Sequence, residues 1–141
     1  MAQYVFVDTW GYLSLYDTRE PRHLEVKQYL SSLSSSQKLI TTNFILDETF
    51  TLLFRRVAFT QAKTALESIR KSVAQSYLQI ENITSQRFEF AIGLRLKYED
   101  KPDISYTDLT SFVVMREMGI RNVITADEHF VKVGLSFERV P

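Results

Sequence analysis

Short apolar runs alternate along this chain with longer stretches in which apolar residues recur every three or four positions. Tyr4-Val5-Phe6-Val7 is apolar and stops at Asp8-Thr9, which reads as a buried strand. Trp10 to Tyr16 reads as a short helix ended by the polar run Asp17-Thr18-Arg19-Glu20-Pro21. Pro21 suits the first turn of a second helix, which runs to about Leu33 with Leu24, Tyr29, Leu30 and Leu33 on one side. Lys38 to Thr42 predicts a second strand, and Asn43 an N-cap for the helix through Phe44, Ile45, Glu48, Leu52 and Val57. Another helix begins near Thr60, with Ala62, Ala65, Leu66, Ile69 and Val73 at helical spacing. Tyr77 to Glu81 alternates as a strand does. Thr84 and Ser105 cap two further helices, the second stopping at Gly119. Asn122 to Thr125 is a strand ending at Ala126-Asp127, Phe130 to Val133 a short helix and Ser136 to Val140 a last strand.

Strands that alternate with helices imply an α/β fold: a central parallel sheet of about five strands with helices on both faces. The 141 residues suit a single domain spanning 1–141 with a sizeable core. There is no Cys, so disulfides, thiolate metal sites and cysteine nucleophiles are excluded, and a reducing cytoplasm is the expected location. Two histidines, His23 and His129, cannot make a three-histidine zinc site in one chain. Seventeen basic and seventeen acidic side chains cancel, which argues against nucleic-acid binding by bulk charge. No signal peptide and no membrane span are expected.

Parallel α/β sheets bind ligands at the carboxyl ends of their strands. Asp8 ends the first strand, Glu48 lies in the helix after the second, Asp108 opens the helix before the fourth and Asp127 follows the fourth. Taken alone, Asp8 and Asp127 could cap helices, and Asp108 could interact with a helix dipole. Glu48 is flanked by Phe44, Ile45, Leu52 and Leu53 at helical spacing and points partly inward, where a lone carboxylate needs a partner. Converging carboxylates call for a cation, and oxygen ligands suit Mg²⁺ or Mn²⁺. Such ions activate water and stabilise displacement at a phosphodiester.

The segments Val5-Phe6-Val7-Asp8-Thr9, Thr42-Asn43-Phe44-Ile45-Leu46-Asp47-Glu48, Ser105-Tyr106-Thr107-Asp108 and Ile124-Thr125-Ala126-Asp127-Glu128-His129-Phe130 resemble, in order, the four motifs of PIN domains. The resemblance implies an endoribonuclease dependent on Mg²⁺ or Mn²⁺, leaving 5′-phosphate and 3′-hydroxyl ends. It carries over Asp8, Glu48, Asp108 and Asp127 as catalytic, metal-binding acids, Asp8 and Asp108 being the principal ligands. Thr9, Asn43, Ser105 and Thr107 are then candidates to orient the carboxylates. Small free-standing members are VapC-like toxins, often homodimers, neutralised by an antitoxin protein. RNA and an antitoxin are therefore the implied partners.

Other residues invite functional readings that are outweighed by structural ones. Arg55-Arg56 suits the C-terminal dipole of its helix. Arg95, Lys97 and Lys101 suit solvated surface, Trp10 packing, and His129 exposed surface. A haloacid-dehalogenase-type phosphatase needs a second Asp two positions after Asp8, where Trp10 stands. A signal-receiver domain needs an acidic pair around the first strand and an Asp on a central one, a placement missing here. The alternative that remains is a catalytically inactive PIN-like binding or assembly module.

Overall fold

The computed structural model describes residues 3–141. Five strands, β1 (Gln3–Val7), β2 (Gln37–Thr42), β3 (Leu78–Glu81), β4 (Asn122–Ile124) and β5 (Glu138–Arg139), form one sheet in the order β3-β2-β1-β4-β5. Every pairing is parallel. The connections carry α1 (Thr9–Tyr16), α2 (His23–Ser32), α3 (Asn43–Arg56), α4 (Phe59–Ala74), α5 (Ser85–Lys97), α6 (Tyr106–Met118) and α7 (His129–Lys132). The α/β class, the number of strands and the parallel sheet are those read from the sequence.

The strand order places the site. The chain builds outward from β1 through β2 to β3, then returns to add β4 on the other side of β1. That reversal opens a crevice at the carboxyl ends of β1 and β4, where doubly wound sheets hold their ligands. Val5, Phe6 and Val7 are buried, as a central parallel strand requires. α6 is buried on nearly every side from Asp108 to Met115, so it is a core helix. The hydroxyls of Thr110 and Ser111 within it donate to the Thr107 carbonyl (2.7 and 3.1 Å). Phe130 fixes α7 to α6 by an edge-on contact with Phe112, ring centroids 5.0 Å apart.

Gly11 sets how closely α1 lies on the sheet. A Cβ there would overlap the Ile124 carbonyl oxygen at the end of β4. Gly119 ends α6 at φ 66°, a left-handed turn that glycine adopts without strain.

Three local expectations need correction. The N-cap of α3 is Thr42, whose hydroxyl accepts from Ile45 N–H at 3.0 Å; Asn43 instead accepts from Ile83 N–H at 2.7 Å. α2 starts at His23, two residues beyond Pro21. Its inward residue is Val26 (1% exposed), whereas Leu24 is 68% exposed. Packing against α1 chooses the face, and the spacing of α2's own apolar residues does not settle it.

Candidate active site

The register of β1 on β4 pairs Val7 with Ile124, so the next residues, Asp8 and Thr125, leave the sheet side by side. The Thr125 hydroxyl donates to Asp8 Oδ2 at 2.7 Å and accepts from Asp127 N–H at 2.9 Å. One threonine thus holds two of the four acids. The Thr9 backbone amide also stabilises the Asp8 carboxylate. From the other side, α6 presents Asp108 in its first turn, with Ser105 as N-cap accepting from Asp108 N–H at 3.0 Å. Glu48 is half-buried on α3, and its charge reaches Asp108.

Two of these acids are shielded from water, and Glu48 and Asp127 are half-buried. Asp8 is 1% exposed and Asp108 6%. Burial, followed by the charge of Asp108, pushes the Asp8 carboxyl up to about 8. Burial, followed by the charge of Asp127 and then Glu48, raises Asp108 to about 7. The two interact, so their protons are shared by the pair. Among the described residues, no Lys or Arg forms an ion pair with any of the four. Neighbouring carboxylates with no Lys or Arg among them, two of them buried, suit a hard divalent cation, whose charge reverses the repulsion. Thr9 Oγ1, beside Asp8 in the chain, is buried without a hydrogen-bond partner, which adds an unsatisfied oxygen next to these acids.

Asp8 feels the charges of Asp108 and Asp127, and Asp108 that of Glu48. Among the described residues, however, the ligand atoms that lie within 4.8 Å of one another come from Asp108, Asp127 and His129, not from Asp8 or Glu48. Thr9 and Ser105 hydrogen-bond the Asp8 and Asp108 carboxylates. The Asn43 side chain is engaged with Ile83 N–H, and the Thr107 backbone carbonyl accepts from two hydroxyls of its own helix. Two further residues belong to the site. Thr125 is one. The other is His129, for which the sequence favoured exposed surface. Its Nδ1 lies 3.1 Å from Asp127 Oδ1 and 3.3 Å from Asp108 Oδ2, with the side chain 31% exposed.

A cleft of about 620 Å³ opens beside Asp127 and His129, lined also by Trp10, Arg22 and Lys132. Arg22 donates to the carbonyls of Thr125 and Pro141, tying α2 to the loop after β4. Arg56 stands 5.6 Å over the Trp10 ring and pairs with Asp17 (3.4 Å) and Glu20 (3.1 Å). Arg95, expected at the solvated surface, instead binds the carbonyls of Tyr98, Lys101 and Ile104 and braces the loop before α6. A larger cleft of about 990 Å³ lies elsewhere, among Leu15, Leu30, Ser68 and Tyr77, and none of the four acids lines it.

The PIN domain family model matches residues 5–135. The curated relative "23S rRNA-specific endonuclease VapC20" of Mycobacterium tuberculosis is 32% identical over 130 residues, covering 92% of this chain and 94% of its own. The crystal structure of that VapC20, described as a sarcin–ricin loop cleaving toxin, superposes with a TM-score of 0.81, covering 92% of this chain and 95% of that one. VapBC2 from Rickettsia felis, solved with a promoter DNA fragment, shares the fold at TM-score 0.73 and 15% identity, over 97% of this chain and 98% of that chain. With its carboxylates gathered at the crevice of a 3-2-1-4-5 sheet, the chain belongs to the PIN-domain family.

Proposed function

We propose that this protein is a metal-dependent endoribonuclease of a single PIN domain, the toxin of a toxin–antitoxin pair. The observation that carries the reading is that Asp8, Glu48, Asp108 and Asp127 lie within reach of one another's charge, with Asp8 and Asp108 buried and no Lys or Arg paired with any of the four among the described residues. The relative named as a 23S rRNA-specific endonuclease supports structured RNA as the substrate class. Neighbours solved as VapBC pairs support an antitoxin as partner. The protein would act in the cytoplasm, as a homodimer. No helix among the described residues is long and apolar enough to cross a membrane.

Asp8, Asp108, Glu48 and Asp127 would hold the ion, Mg²⁺ or Mn²⁺. When bound, such an ion supplies positive charge for the phosphodiester in its transition state and a means of activating water. The chain's own part is positioning. Thr125 fixes the rotamer of Asp8 and the backbone at Asp127 together. Ser105 aims Asp108 from the first turn of α6, where the helix dipole favours a carboxylate. The adjacent cleft offers Lys132 to backbone phosphate and Trp10 to an unpaired base.

The test is incubation with structured and unstructured RNA in Mn²⁺, Mg²⁺ or EDTA, beside Asp8→Asn and Asp108→Asn. Cleavage that needs the ion and vanishes in both variants is expected. No cleavage of any RNA together with no cation binding in calorimetry would leave a binding or assembly module.

A further inference from the structure

The four acids are oxygen donors, but the structure sets a nitrogen among them. His129 is the first residue of α7, and its amide donates to Asp127 Oδ1 at 2.9 Å. Asp127 N–H is itself held by Thr125, and the next residue, Phe130, is fully buried against Phe112. The backbone that carries the imidazole is therefore fixed on both sides. One ligand atom from each of Asp108, Asp127 and His129 lies within 4.8 Å of the other two, close enough for one ion to reach all three.

Donor chemistry then decides which ion. Mg²⁺ prefers oxygen and water and gains little from imidazole, whereas Mn²⁺ and the later first-row ions accept mixed nitrogen and oxygen sets. We infer that His129 is a ligand of the same centre as Asp108 and Asp127, and that it makes the site select Mn²⁺ over Mg²⁺. This rests on the reading of the acids as a metal site. The competing role for the ring is that of a charge partner to the two carboxylates when no ion is bound. In that role it would have to leave when a cation arrives, and removing it would leave cation binding unchanged or tighten it.

The probe is Mn²⁺ alone, added to the intact protein without RNA. Pulsed electron paramagnetic resonance reads ¹⁴N coupling to the bound ion, and calorimetry reads Mn²⁺ and Mg²⁺ affinities for the wild type, His129→Ala and His129→Asp. Circular dichroism in EDTA establishes that the variants fold. The expected result is ¹⁴N coupling in the wild type only. His129→Ala should lower Mn²⁺ affinity by at least about tenfold with little change for Mg²⁺, and His129→Asp should erase the preference. Bound Mn²⁺ without ¹⁴N coupling, or unchanged affinity in His129→Ala, overturns the inference and leaves the carboxylate centre standing. Absence of any Mn²⁺ or Mg²⁺ binding by the wild type overturns both.

Discussion

Asp8→Asn should make the metal-free protein more stable at alkaline pH, although it removes a central residue of the site. Asp8 is 1% exposed and is held by the Thr125 hydroxyl and the Thr9 amide, with Asp108 and Asp127 as its charged neighbours. Its carboxyl is raised from 3.8 to about 8, first by burial and then by Asp108. The folded state therefore keeps a proton that the unfolded chain releases above pH 4. With more protons bound to the native state, stability falls as pH rises. The contribution is whole below about pH 4 and is lost as pH climbs through about 8. At about 1.4 kcal/mol per pH unit, a rise from 3.8 to about 8 is worth on the order of 5 kcal/mol. Asp108 relaxes once its neighbour is neutral, so part of this is common to the pair.

Asparagine imitates the protonated acid, keeping an acceptor for Thr125 and carrying no charge. Taking about half of that energy, and about 3 °C per kcal/mol for a domain of this size, the variant should melt roughly 5–10 °C above the wild type at pH 8 in EDTA. At pH 4, close to the unfolded value of 3.8, the two should nearly coincide. Mn²⁺ at a hundred times its Kd should raise the wild type by about 2.7 kcal/mol and the variant by far less. Thermal unfolding by circular dichroism at both pH values, with EDTA and with Mn²⁺, measures all of this. Equal melting temperatures for the two proteins at pH 8 in EDTA would refute the reasoning, because they would mean that Asp8 is solvated or already balanced by a basic group.

Three further perturbations follow from the same geometry. Gly11→Ala forces a methyl into the Ile124 carbonyl and should cost about 1–3 kcal/mol, read by urea unfolding; no loss would mean that α1 can lift from β4 freely. Thr125→Val keeps the shape but removes the donor to Asp8 and the acceptor for Asp127 N–H. It should lower kcat by roughly tenfold or more and stability by about 1–3 kcal/mol, and an unchanged kcat would deny Thr125 its positioning role. Trp10 is the only tryptophan in the chain, so its fluorescence reports the cleft directly. RNA should quench it, and Trp10→Ala should raise KM more than it lowers kcat; an unaffected KM, with antitoxin binding weakened instead, would assign the ring to a protein partner.

Much of this protein is written in local pattern. Strands and helices came from residue spacing, because burial on one face repeats every two or every three to four residues. Thr84, Ser105 and Gly119 could be read as caps because capping involves neighbours in the chain. The four acids could be read as strand-end and first-turn residues for the same reason. What bound them into a site is not local. Thr125 meets Asp8 across 117 positions, and His129 meets Asp108 across 21, only because β4 adds beside β1 in register. His129 lies five residues beyond the end of β4, after a polar stretch, which by itself describes an exposed side chain. Nor does α2's spacing distinguish Val26 from Leu24, since the face turned inward is decided by α1. The sequence by itself determined which elements form and which residues end them, since those depend on neighbours along the chain. Only the tertiary structure decided which ends meet, because the strand order that sets them together is a property of the whole sheet.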